Sequence, residues 1–235
     1  MNIQLKYKEV IHLFVFLFYS VSFFAQSPNK TIGNWVMGFN QTRIHKKWSL
    51  HNEIQYRSYE VAPNTEQLLL RFGVNYHINN KFNVSAGYGS ISNYAFDKGM
   101  NPDILAHENR IWQQLIMKDN LSLLFFEHRY RFEQRWIESS TNTNYVERLR
   151  YLLRVSIPLN KKEITQKTVF ITSYNELFIN LTSKPFDRNR LYVGMGYQIN
   201  NLIGIQLGYL FQTVNITTKT YLQSSLTYNL DFRKK

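Results

Sequence analysis

Residues 121–136, LSLLFFEHRYRFEQRW, constrain the fold of this chain more than any other segment. Glu127, Arg129, Arg131, Glu133 and Arg135 share one parity, while Phe126, His128, Tyr130, Phe132 and Trp136 share the other. Successive side chains of a strand point to opposite faces, so the pattern makes one charged stripe and one aromatic stripe. In a helix the same charges would spiral around the axis. A soluble strand of this length rarely buries rings on one side and carries five charges on the other. A membrane barrel, with an apolar exterior and a polar lumen, needs that division.

The same alternation recurs from Ile32 onward in eleven segments, at 33–44, 47–58, 67–78, 81–94, 106–117, 121–136, 145–157, 168–180, 188–199, 202–213 and 220–232. Leu68, Leu70, Phe72, Val74, Tyr76 and Ile78 alternate with Arg71, Gly73, Asn75 and His77; Ile203, Ile205, Leu207, Tyr209 and Phe211 alternate with Gly204, Gln206, Gly208 and Gln212. Strands of about 10 to 13 residues suit a bilayer crossed at a tilt. Tight turns are expected at 45–47, 79–80, 118–120 and 200–201, and longer links at 59–66, 95–106 and 137–144. The 158–167 link breaks this alternation by being long where a short turn is due. Single-chain bacterial barrels have even strand numbers. Ten or twelve is therefore the expected count, in an all-β, transmembrane, antiparallel up-and-down barrel.

The first 25 residues place the chain outside the cytoplasm. Lys6 and Lys8 precede a nearly unbroken apolar run from Val10 to Phe24, and Ala25 offers a small residue before Gln26. That is the pattern of a cleaved signal peptide, too short and wrongly flanked for a membrane-spanning helix. Removal of these residues leaves a single domain, 26–235. No cysteine is present, which excludes disulfides, thiol nucleophiles and Cys-ligated metals. The net charge of +12 would suggest nucleic acid in a cytosolic protein. An exported chain rarely meets any, and here much of the charge sits on strand faces and in turns.

Phasing each strand by its aromatic side assigns a lumen of Glu53, Arg57, Arg71, Glu108, Arg110, Glu127, Arg129, Arg131, Glu133, Arg135, Arg148, Arg150, Arg154, Glu176 and Arg190. Arginine suits crowded pairing, because its planar fork bonds carboxylates bidentately and stays charged. A barrel of this size is roughly 20 to 24 Å across, and arginines reach far into it from opposite walls. Two arrangements follow. The charges form either a packed network that braces and blocks the barrel, or a narrow anion-preferring pore, with Arg129, Arg131, Arg148 and Arg150 at its constriction. The ending of alternate Leu226, Tyr228, Leu230 and Phe232 matches the last strand that barrel-assembly machinery reads.

An outer-membrane lipid hydrolase would place His two residues before Ser on one strand, within hydrogen-bond reach. None of His45, His51, His77, His107 and His128 has that neighbour. His51 and His77 share lumen parity and are expected as network members. Glu127 and Glu133 lie about 20 Å apart along a strand, too far for a glycosidase pair. No catalytic residue, metal site or cofactor is therefore expected. A soluble lipocalin-like carrier would need its many rings inside. The expected partners are outer-membrane lipid, assembly machinery and small anionic solutes.

Several strings carry a resemblance: Gln55-Tyr56-Arg57, Leu70-Arg71-Phe72-Gly73, Glu108 to Leu115, Arg129-Tyr130-Arg131-Phe132-Glu133-Gln134-Arg135, Arg148-Leu149-Arg150-Tyr151 and Asn189-Arg190-Leu191. Together they resemble the outer-membrane proteins of Bacteroidota grouped as domain of unknown function 2490, over essentially the whole mature chain. The resemblance implies a β-barrel in the outer membrane of a Gram-negative bacterium. It implies no activity, substrate or catalytic residue.

Overall fold

The computed structural model describes residues 31–61, 64–97 and 103–233; the expected signal peptide lies outside them. Eleven strands form one closed barrel: β1 (Gly33–Arg43), β2 (Trp48–Ser58), β3 (Thr65–His77), β4 (Phe82–Tyr94), β5 (Ile104–Leu121), β6 (Leu124–Ser139), β7 (Thr143–Pro158), β8 (Thr168–Asn180), β9 (Phe186–Gln198), β10 (Ile203–Val214) and β11 (Thr217–Asp231). Every alternating segment read from the sequence is one of these strands. The count falls within ten to twelve, but it is odd.

Oddness has a direct geometric consequence. Up-and-down strands reverse direction at each step, so β1 and β11 run the same way and close the barrel as a parallel pair, from Gly33 opposite Tyr221 to Arg43 opposite Asp231. All other neighbours are antiparallel. A parallel ladder is slightly weaker per residue, but it leaves no sheet edge unpaired. β1 begins at the mouth that carries links 59–64, 95–103, 140–142, 181–185 and 215–216, here the loop mouth. β11 ends at the other, the turn mouth, with links 44–47, 78–81, 122–123, 159–167 and 199–202.

Two links differ from expectation. The turn expected at 118–120 lies at Ser122–Leu123, because β5 stays paired with β6 down to Leu121 opposite Leu124. Ser122 adopts the left-handed backbone (φ 55°) that such a short reversal needs. The 137–144 link shrinks to three residues as β6 and β7 extend towards one another. The contrast between long and short ends is consequently weaker than the sequence suggested.

Alternation puts Leu70, Phe72 and Val74 of β3 and Ile205, Leu207, Tyr209 and Phe211 of β10 on the exposed outer wall. The inner wall is not purely polar: Tyr130, Phe72 and Tyr209 stand on the exterior as expected, but not every ring does. Trp35, Trp112, Phe170, Tyr174, Phe178, Tyr192 and Tyr221 are all buried. On β8, Phe170, Tyr174 and Phe178 share the parity of Glu176, so charge and rings stand on one face. Inward glycines make room for the rings. Gly73, Gly87 and Trp112 are aligned across β3, β4 and β5, and a Cβ on either glycine would meet the indole at 2.6 Å. Gly196, opposite Phe170, is covered by its ring in the same way. Trp35, Met37, Leu152, Tyr174, Tyr192, Leu210 and Tyr221 form one apolar cluster on the β1 and β7–β11 side. The charges fill the remaining lumen.

An arginine and glutamate network as the candidate functional site

Strand parity delivers all fifteen expected charges to the interior. Fourteen line one cavity of about 420 Å³, whose wall reaches from Arg188 and Asn93 near the loop mouth to Lys118 and Asn229 near the turn mouth. The fifteenth, Glu133, lies behind that wall with 0 % exposure. Its carboxylate is the hub of the network. Arg148 donates to it from Nε (3.0 Å) and Nη2 (2.5 Å), and Arg150 from Nη1 (2.6 Å). Arg110, Arg131 and Arg71 approach at 3.6, 3.8 and 3.9 Å. The five cations come from β3, β5, β6 and β7, so one carboxylate ties together strands that are not neighbours.

A second hub is Glu176 on β8. It accepts from Arg129 Nη2 (2.8 Å) and from Arg150 Nε and Nη2 (3.0 and 2.6 Å), with Arg190 at 3.9 Å. Arg150 therefore bridges both hubs. Glu53 accepts from Arg71 (2.7 Å) and from Gln55, with His51 at 3.3 Å. Glu108 takes a two-pronged contact from Arg135 (2.6 and 3.0 Å) and a bond from Arg110. Glu127 and Arg154 stand apart near the turn mouth, 3.6 Å from one another and partly exposed. The proposed constriction set thus stays together: Arg131, Arg148 and Arg150 are buried, and Arg129 shares Glu176 with Arg150. His77 joins Ser49 (2.8 Å) on the polar wall.

Aromatic rings hold the cations in place. The guanidinium carbons of Arg148, Arg150, Arg188 and Arg190 all lie 4.3 to 5.8 Å from the centre of the Phe178 ring. Those of Arg71 and Arg131 flank Trp112, and those of Arg57 and Arg190 flank Trp35. Such contacts contribute about 2 kcal/mol or more when desolvated. They also let arginines crowd together with fewer carboxylates than ion pairing alone would require.

Several participants were not singled out from the sequence. Gln55, Gln114 and Gln212 accept from Arg57, Arg131 and Arg190; Gln55 and Gln114 share parity with a lumen arginine of their own strand, and Gln212 lies on the parity opposite the aromatic stripe of β10. Asp187, which accepts from Arg148 at 2.7 Å, was not legible in this way. A register shift between β8 and β9 at Phe178 and Ile179 takes it out of the alternation. Among the described residues, no group of three or more His, Asp or Glu is arranged to hold a metal ion. Tyr228 and Leu230 lie on the outward parity of β11, and Phe232 follows it, exposed, donating its N–H to Arg43 O at 2.8 Å.

Comparison with known proteins gives the chain a family and adds no chemistry. A family model described as a protein of unknown function, DUF2490, matches residues 32–223. An uncharacterized protein of Methylorubrum extorquens (strain AM1) is 30 % identical over 168 residues, covering 68 % of this chain and 69 % of that protein. No solved structure matches. From its first strand into its last, the chain belongs to the DUF2490 family.

Proposed function

We propose that the protein is an outer-membrane β-barrel whose lumen is closed to solutes by a cross-braced, positively biased charge layer. The observation that carries this reading is Glu133. It is wholly buried in the barrel interior and bound by guanidiniums from four strands, which suits a packed brace better than a solvated pore wall. The exposed apolar outer wall supports a lipid surroundings, as does the alternation that places it there. Export by a cleaved leader, a Bacteroidota source and delivery by barrel-assembly machinery through Tyr228, Leu230 and Phe232 belong to the same reading. It assigns no enzymatic activity.

A narrow anion-preferring channel is the second reading. Its support is the cavity wall, which carries eleven arginines against four glutamates and reaches towards both mouths. Planar-bilayer recording of refolded protein under a salt gradient separates the two. The closed reading expects silence from folded barrel, verified by heat-modifiable gel migration. Discrete steps with an anion-selective reversal potential would overturn it, and Arg129→Ala with Arg131→Ala should then weaken the selectivity.

A further inference from the structure

The arginines of the lumen are not equally neutralised, and the difference is local. Around Trp112, Arg71 bonds Glu53 at 2.7 Å and lies 3.9 Å from Glu133, while Arg131 bonds the neutral Gln114 and lies 3.8 Å from Glu133. Around Trp35 neither cation hydrogen-bonds a carboxylate. Arg57 forms no ion pair among the described residues; its hydrogen bond goes to the neutral Gln55 at 2.5 Å. Arg190 bonds the neutral Gln212 at 2.8 Å, and its nearest carboxylate, Glu176 at 3.9 Å, already serves Arg129 and Arg150.

Register explains how they meet. Trp35 is directly opposite Arg57 on the neighbouring strand, whereas Arg190 reaches over β10 and β11 from β9. Their guanidinium carbons lie 3.8 and 4.8 Å from the centre of the same indole ring. Trp35, Arg57 and Arg190 are buried at 2 %, 8 % and 7 % exposure, and all three line the cavity. Among the described residues, Trp35 Nε1 and Arg57 Nε have no hydrogen-bond partner, as is also true of Trp112 Nε1, Arg71 Nε and Arg131 Nη1. Buried donors without partners are costly, and a buried cation more so.

We propose that Arg57, Arg190 and the indole N–H of Trp35 form a binding site for one phosphate-type dianion inside the loop mouth. Arg57, with no ion pair among the described residues, and Arg190, with only a 3.9 Å share of Glu176, leave a positive surplus that suits an anion of two negative charges. The planar guanidinium fork matches two oxygens of a tetrahedral phosphoryl group, and the indole supplies a further donor to a third. The site faces the lumen, so it takes a soluble phosphate or phosphomonoester, whereas lipid phosphates lie beyond the wall. This inference rests on the positively biased lumen, but it does not depend on whether the lumen conducts.

The test is isothermal titration of full-length protein refolded in detergent at pH 8, with inorganic phosphate, glycerol 3-phosphate and acetate as probes. Saturable binding of one phosphate per barrel is expected, with acetate at least tenfold weaker. Arg57→Gln and Arg190→Gln should each weaken phosphate at least tenfold, and Lys81→Gln, in a distant turn, should not. Equal binding of the ester would point to organic phosphates, and rejection of it to the free ion. If the arginine variants do not fold, Trp35→Phe keeps the ring and removes the N–H, with at least a threefold loss expected. No saturable phosphate binding, acetate binding as tightly, or unchanged affinity in folded variants overturns the site. Conductance of the same preparation separates the two ideas: a conducting barrel that binds phosphate keeps the site and refutes closure.

Discussion

Replacing Glu133 by Gln should be the most damaging conservative change in the lumen, and the structure indicates its size. Glutamine preserves the shape and can still accept a hydrogen bond from Arg148 or Arg150. The negative charge disappears, leaving five guanidiniums within 3.9 Å of a neutral group. Breaking a buried ion pair by removing one partner costs about 3–5 kcal/mol, because the remaining charge is left buried and uncompensated. Glu127→Gln provides the internal comparison. That carboxylate is partly exposed and has one partner, Arg154, at 3.6 Å, so its loss should cost no more than about 1 kcal/mol. The assay is urea unfolding of the refolded barrels, followed by tryptophan fluorescence and gel migration; urea is preferable because guanidinium would itself screen the network. With slopes of roughly 2–3 kcal/mol per molar for a chain of this size, E133Q should lower the midpoint by about 1–2 M. E127Q should lower it by about 0.5 M or less at the same slopes. Equal shifts for the two variants, or an E133Q loss under about 1 kcal/mol, would refute the hub.

Packing of rings on glycines makes an independent prediction. Gly196→Ala should destabilise by about 1–3 kcal/mol through overpacking, since the nearest atoms a Cβ would meet all belong to the Phe170 ring. In a Phe170→Leu background the same change should cost much less, read as the coupling energy of a double-mutant cycle in urea. The ion pair of Lys81 with Asp119 is a control in the opposite direction. Both side chains are more than 60 % exposed, so Lys81→Gln should shift stability by less than about 0.5 kcal/mol. The Tyr174 hydroxyl donates to Gln223 at 3.0 Å from β8 to β11. Tyr174→Phe should therefore leave a buried amide oxygen unpaired and lower the urea midpoint, by about 1–3 kcal/mol of stability.

Most of the barrel was legible because a strand's period is two and each strand is amphipathic. Arg148, Arg150 and Arg154 on β7 declare a polar face in the sequence, and the structure turns that face inward. Legibility failed where the alternation is locally broken or where one residue type serves two environments. Asp187 sits beside a register shift, so parity misplaces it. Trp112 shares its parity with Glu108 and Arg110, yet an aromatic reads as lipid-facing by default. Only the paired glycines across β3 and β4 reveal that a ring can lie against the inner wall there. Strand count was ambiguous for a different reason. The even-number rule expresses antiparallel closure, and nothing in the local pattern of β1 or β11 records that they meet in parallel.

The balance of cations and rings bears on why the lumen carries so much arginine. An apolar filling of equal volume would brace a barrel at least as well, since buried ion pairs are often no more stabilising than hydrophobic packing. Stability alone is thus a weak reason for eleven arginines on one cavity wall. The arrangement separates two zones. In the interior, Glu133 and Glu176 satisfy cations from β3 to β9, and Phe178 takes up four guanidiniums around one ring. Towards the loop mouth, Arg57 and Arg190 lie over Trp35 with hydrogen bonds to amides, and Arg190 has only a 3.9 Å share of Glu176. A structural brace needs the first zone and is weakened by the second, because uncompensated buried charge is destabilising. If Arg57→Leu with Arg190→Leu raises the urea midpoint in the absence of phosphate, those two residues are held against stability. Retention at such a cost is what a binding site requires. A fall in the midpoint would instead make the pair part of the brace and remove the argument for a ligand.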